Sequence, residues 1–66
     1  MLLVASYDIT DNTRRLRVST LLKNFGDRVQ RSVFECLLEP PQIERLAAGV
    51  AKLIEPEEDS VRVYEL

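Results

Sequence analysis

The sequence predicts an α+β fold: two helices on one face of a four-stranded sheet, in the order strand, helix, two strands, helix, strand. Three observations predict it. An apolar run of strand length, Leu2–Ala5, stands near one end and an alternating strand-like segment, Val61–Leu66, at the other. Two stretches with apolar residues at helical spacing, Thr13–Phe25 and Pro41–Ile54, lie between them. Residues 28–38, which separate the helices, alternate like strand but break their alternation once. In this order the sheet is mostly antiparallel, the split βαβ or ferredoxin-like βαββαβ arrangement.

The first strand spans residues 2–8, and Leu2, Leu3, Val4 and Ala5 make it apolar on both faces. That suits a central strand buried on both sides or paired at an interface. Thr10, Asp11 and Asn12 are all able to cap a helix start. The helix follows from about Thr13 to Phe25, with Leu16, Leu21, Leu22 and Phe25 on its apolar face, Val18 at the edge, and Gly26 where a C-terminal glycine belongs.

Between Val29 and Cys36 the alternation does not separate apolar from polar along its whole length. Two short strands with a tight turn or bulge near Arg31–Val33 account for this better than one long strand. Pro40-Pro41 closes the segment and Pro41 fits the first turn of the second helix. Ile43, Leu46, Ala47, Val50, Leu53 and Ile54 form that helix's apolar face, and Gly49 costs it some propensity. Glu55–Ser60 is an acidic turn, and Val61 and Val63 alternate with Arg62 and Tyr64 in the last strand.

At 66 residues the chain is one domain, near the size at which a single core barely offsets chain entropy. One cysteine, Cys36, rules out a disulfide framework, and without histidine there is no His-containing metal site. Domains this small commonly gain burial by oligomerising, so a homodimer through the uncovered sheet face is expected. The first apolar run is too short to span a membrane or serve as a signal peptide, which leaves the cytoplasm as the expected compartment.

Charge is unevenly spread. Residues 1–34 carry six bases (Arg14, Arg15, Arg17, Lys23, Arg28, Arg31) against three acids, while residues 35–66 carry three bases against eight acids. Five of the six N-terminal bases are arginine, whose forked guanidinium suits phosphate oxygens. Arginines at a helix start oppose the helix dipole, which points to phosphate binding; on composition alone, a solvated helix face with strand-edge charges is the plainer alternative.

The chain offers little else that reacts. No Gly-rich phosphate loop exists, Ser6 and Ser32 lack a base, and Cys36 sits in apolar strand sequence. What remains is carboxylate chemistry with a hard cation, and Asp8 is the candidate because it stands at a strand end facing a possible cleft. Mg²⁺ needs only one or two protein carboxylates, and a two-fold axis near the end of the first strand would pair two copies of Asp8. The plainer alternative is that Asp8 merely caps the turn into the first helix.

The stretches Tyr7-Asp8-Ile9 and Arg14-Arg15-Leu16-Arg17, with Gly26-Asp27-Arg28-Val29-Gln30-Arg31-Ser32-Val33-Phe34-Glu35-Cys36, resemble the smaller of the two core CRISPR spacer-acquisition proteins. That family is also called the CRISPR-associated endoribonuclease. The resemblance covers the whole chain, including the acidic turn and Val63-Tyr64. It implies a homodimeric, ferredoxin-like, Mg²⁺-dependent nuclease acting on RNA or duplex DNA in the prokaryotic cytoplasm. It also implies partnership with the larger CRISPR integrase. The family's metal-binding acid falls on Asp8 and its basic residues on Arg15, Arg17 and Arg28; Arg14 and Arg31 are added here as further phosphate contacts. Tyr7, Ser32 and Phe34 are expected to pack the site or the dimer. Family members usually continue into a further strand that crosses to the partner, so residues 1–66 are expected to form one domain without it.

Two functional classes fit these residues. One is a dimeric, metal-dependent phosphodiesterase using paired Asp8. The other is a non-catalytic dimeric scaffold that binds duplex DNA through arginines and bridges integrase subunits.

Overall fold

The computed structural model describes residues 1–66. Its elements are β1 (Leu2–Asp8), α1 (Asn12–Lys23), β2 (Asp27–Gln30), β3 (Val33–Leu37), α2 (Pro40–Leu53) and β4 (Ser60–Glu65). The four strands form one sheet in the order β2-β3-β1-β4, and all three pairings are antiparallel. This is the predicted βαββαβ arrangement, and the two long apolar stretches are its helices.

β1 is an inner strand, so its apolar character on both faces has two separate causes. Leu3, Ala5 and Tyr7 are buried in a core shared with Val18 and Leu22 of α1 and Leu46 and Val50 of α2. The intervening Leu2, Val4, Ser6 and Asp8 lie on the opposite face, which neither helix covers. Register extends that face: Leu2 stands opposite Leu37 and Val4 opposite Tyr64. Leu37 is 76% exposed and Tyr64 51%. On the helix side Phe34 is the largest side chain with no exposure at all, and its burial contributes about 2–3 kcal/mol.

The broken alternation in residues 28–38 arises from two devices. Arg31 and Ser32 form the turn between β2 and β3, and β2 shifts register against β3 between Arg28 and Gln30. The second helix begins one residue earlier than predicted, with both Pro40 and Pro41 in its first turn. Pro lacks the amide that would be unpaired there. The Gln42 side chain reaches back to accept from the Glu39 amide at 2.8 Å.

Three expectations need correction. α1 ends at Lys23 rather than Phe25, and Asn24 is its C-cap. Its buried face is Val18, Ser19 and Leu22, whereas Leu16 is 64% exposed. Val18 is therefore the centre of the face rather than its edge, and the stripe is rotated from the one the leucines suggest. Gly26 does not have a positive φ, so left-handed capping is not its role. A Cβ there would collide with the Glu35 carbonyl oxygen and fall 2.6 Å from Cys36 Sγ. Glycine is required because the chain crosses β3 too closely for any side chain. Gly49 similarly lies on the helix–helix contact, where a Cβ would meet the side-chain end of Leu21 at 3.0 Å.

These two glycines give opposite expectations. Gly26→Ala must displace backbone and should cost about 3 kcal/mol or more, a fall of about 12–24 °C in Tm for a domain of this size. Gly49→Ala presses only on a flexible leucine and gains helix propensity, so it should stay within about 1 kcal/mol of the parent. Thermal unfolding followed by circular dichroism measures both.

Candidate nucleic-acid and metal site

The site is built where β1 stops. Asp8 is the last residue of the β1–β4 ladder, opposite Ser60, and stands exposed between the buried Tyr7 and Ile9. The chain then needs only Ile9, Thr10 and Asp11 to reach α1. Asp11 is the N-cap, its Oδ2 accepting from the Arg14 amide at 2.8 Å. Capping thus falls to Asp11, and Asp8 is left free of it. Neither ion pair of the chain involves Asp8.

Beside Asp8 lies a cleft of about 630 Å³ between the start of α1 and the β2–β3 turn. Its bases are Arg15, Arg28 and Arg31, and its neutral polar groups are Asn12, Ser19 and Ser32. Tyr7 ties β1 to the β2–β3 turn: its amide donates to the Ser32 carbonyl at 3.1 Å and its hydroxyl to the Arg31 carbonyl at 3.3 Å. Its ring packs 6.4 Å from that of Phe34. Phe34 itself lies in the core beneath the cleft.

The arginines differ in what holds them. Arg28 lies 5.3 Å above the Phe34 ring and donates to the hydroxyl of buried Ser19, which orients its guanidinium at the cleft floor. Arg31 takes part in no ion pair. Arg15 donates to the Ile9 carbonyl at 3.0 Å and to the Thr10 carbonyl and the Asn12 side chain. Arg17 does not line the cleft and is exposed on α1.

Arg14, expected with the others, is turned away. Its Nε donates to Asp59 Oδ2 at 2.8 Å and its Nη2 to Asp59 Oδ1 at 3.2 Å and Glu58 Oε2 at 3.0 Å. The Asp59 side chain is fully buried and also accepts from the Glu55 amide at 2.8 Å. Hydrogen bonding from Arg14, then from the Glu55 backbone, holds the Asp59 carboxyl below its ordinary value. The same contact raises Arg14. This bidentate pair ties the start of α1 to the α2–β4 turn. Sequence reasoning missed Asp59 because it sits in an acidic run, and missed Ser19 because a helical serine reads as solvent-facing. Its place one residue after Val18 was the available signal.

The metal chemistry open to this site is that of a hard cation. No group of three or more His, Cys, Asp or Glu converges in the chain, which excludes a preformed transition-metal cage. A lone, unpaired carboxylate beside a basic cleft fits Mg²⁺, which keeps waters and takes its remaining ligands from phosphate. Cys36 offers nothing here: burial, with a smaller push from Asp27, raises its thiol and leaves it inert.

Comparison with known proteins finds relatives in sequence and in fold. The family model for "CRISPR associated protein Cas2" matches residues 1–66. The chain is 43% identical over 63 residues to the CRISPR-associated endonuclease Cas2 2 of Thermus thermophilus, covering 96% of this chain and 70% of the relative. It is 46% identical over 66 residues to the CRISPR-associated endoribonuclease Cas2 3 of Chloroflexus aurantiacus, covering 100% and 71%. Among solved structures, a hypothetical protein from Thermus thermophilus superposes with a TM-score of 0.97 at 42% identity, covering 98% of this chain and 79% of that one. Streptococcus pyogenes Cas2 at pH 6.5 gives 0.94 at 31% identity, covering 100% and 86%. No helix is long and apolar enough to cross a membrane.

The Asp59–Arg14 pair has a defined pH signature. The folded carboxyl lies below its unfolded value, so its contribution is complete above about pH 3.9 and is lost as pH falls through the folded value. Asp59→Asn should therefore lower Tm at pH 7, and the gap to the parent should close as the pH is taken below about 4. A gap independent of pH would remove the pair from the acid response.

Proposed function

This chain belongs to the Cas2 family of CRISPR-associated proteins, and from that premise we propose that it is a dimeric, Mg²⁺-dependent endonuclease. It hydrolyses phosphodiester bonds of RNA or DNA in the cytoplasm and works with the integrase that inserts new spacers. The observation that carries this reading is the unpaired, exposed carboxylate of Asp8 at the mouth of a cleft whose bases are arginines. An acceptor for a hard cation and donors for phosphate oxygens then face the same space.

The geometry supports a part for each residue in this reading. Asp8 from each of two copies would hold the ion, since one chain brings only one carboxylate to the site. When bound, Mg²⁺ supplies Lewis-acid polarisation of a phosphoryl oxygen and a more acidic water. Arg31, which has no ion-pair partner, and Arg28, oriented by Ser19 and Phe34, grip flanking phosphates; Arg17 extends the basic track along α1. Such contacts set register and affinity without reading sequence. Ser32 and Tyr7 hold the β2–β3 turn that carries Arg31. The dimer surface is the uncovered sheet face, where Leu2, Leu37 and Tyr64 are exposed on the same side as Asp8, so association there brings the two acids toward each other.

A second reading keeps the dimer and the arginines but assigns no chemistry: a scaffold that binds duplex DNA and bridges integrase subunits. The single carboxylate per chain and the absence of any cluster of potential ligands favour it. One experiment separates the two. Labelled RNA and duplex DNA are incubated at low salt with Mg²⁺ or chelator, using the parent protein and Asp8→Asn. The endonuclease reading expects cleavage that needs the metal and falls at least about 100-fold in Asp8→Asn, with salt-dependent binding nearly unchanged. Binding by both proteins without cleavage by either would leave the scaffold; equal cleavage by both would remove Asp8 from the chemistry.

A further inference from the structure

Arg15 lies in the cleft, yet its guanidinium is turned onto the chain that leaves β1. Nη1 donates to the Ile9 carbonyl at 3.0 Å and to the Thr10 carbonyl at 3.4 Å, while Nη2 donates to Asn12 Oδ1. Neither carbonyl belongs to a helix or strand, and neither accepts from a turn or loop amide. Arg15 is therefore the protein partner of both carbonyls; the Ile9 carbonyl is part-buried, where an acceptor without a partner is costly, while the Thr10 carbonyl is open to water. Ile9 is fixed twice, by its buried side chain and by its carbonyl on Arg15. It is the residue immediately after Asp8.

Resting on the reading of Asp8 as the metal-binding acid, we infer that Arg15 is a positioning residue. It sets the backbone that aims Asp8, and it does not grip phosphate. Both terminal nitrogens already donate within the chain, so a phosphate gripped across them would have to displace the loop, and of the five N–H donors the Nε–H is left without a partner. The rigid, planar guanidinium reaches acceptors at positions 9, 10 and 12 together; the point charge of a lysine does not. The three cleft arginines thus play different parts. Arg31 is free for the ligand, Arg28 is steered by Ser19, and Arg15 is committed to the loop.

The test compares Arg15→Gln, Arg15→Lys and Asn12→Ala with the parent in the full-length protein. Three quantities are read: kcat with Mg²⁺, affinity for a labelled duplex in chelator as a function of salt, and amide hydrogen exchange. Asn12→Ala removes one acceptor of the clamp without changing charge. A positioning role gives Arg15→Gln a fall in kcat of about 10–100-fold, the usual scale for a displaced catalytic group. Duplex affinity should stay within about twofold and its salt slope should not change. Arg15→Lys should fail like Arg15→Gln, and Asn12→Ala should show a smaller loss of the same kind.

A salt slope shallower by about 0.9 in Arg15→Gln, the mark of one lost phosphate contact, would overturn the proposal, as would full recovery of kcat in Arg15→Lys. Exchange keeps the test separate from the nuclease reading. The Arg14 amide on Asp11 Oδ2 and the position-15 amide on the Asp11 carbonyl should exchange at least about tenfold faster in Arg15→Gln but not in Arg31→Gln. If the parent protein cuts nothing, that acceleration still upholds the clamp while the nuclease reading falls. Unchanged exchange in a folded Arg15→Gln would overturn it.

Discussion

Because β1 is hydrogen-bonded to β3 on one side and β4 on the other, it cannot slide or turn without breaking both ladders. A slip of one residue would exchange Leu3, Ala5 and Tyr7 for Leu2, Val4 and Ser6 in the core. That constraint fixes where Asp8 emerges, which side of the sheet it shares with the exposed apolar residues, and where the chain must turn for α1. The cleft follows from it. Its far wall, the β2–β3 turn, is joined to β1 through Tyr7, and its near wall is the helix that Asp11 caps.

Electrostatics then sorts the basic residues. The N-terminal half carries the excess of arginine and the C-terminal half the excess of acid, but the two halves meet at one point only in ion pairs, through Arg14 with Glu58 and Asp59. The remaining acids leave the cleft unneutralised. A polyanion approaching that end of the sheet meets arginines and one carboxylate, which a dication is suited to bridge. The acidic α2–β4 turn meanwhile anchors the start of α1 and so belongs to the architecture of the site without facing it.

Element order, a cap among Thr10, Asp11 and Asn12, the interruption between β2 and β3 and the place of Asp8 at a strand end were legible in the sequence, because each follows from neighbours within a few residues. The sequence also carried the resemblance to the Cas2 family over its full length. The misreadings share a different cause. Gly26 looks like a helix stop by position, but its requirement comes from Glu35 and Cys36 on another strand. Leu16 fits an apolar stripe, yet the stripe was drawn without knowing which side of α1 the sheet takes. Arg14, Arg15 and Arg17 are nearly equivalent by spacing. Only the fold reveals that distant Asp59 claims the first and the adjoining loop claims the second.

The buried Cys36 has a practical consequence. As the only thiol in the chain, it points from β3 into the core against Gly26, shut off from solvent. A thiol reagent modifies it only in molecules whose sheet has parted from the helices, so the labelling rate counts openings of the core. The protein carries a native gauge of its own breathing, and that gauge registers whether binding a dication, a nucleic acid or a second copy tightens the fold.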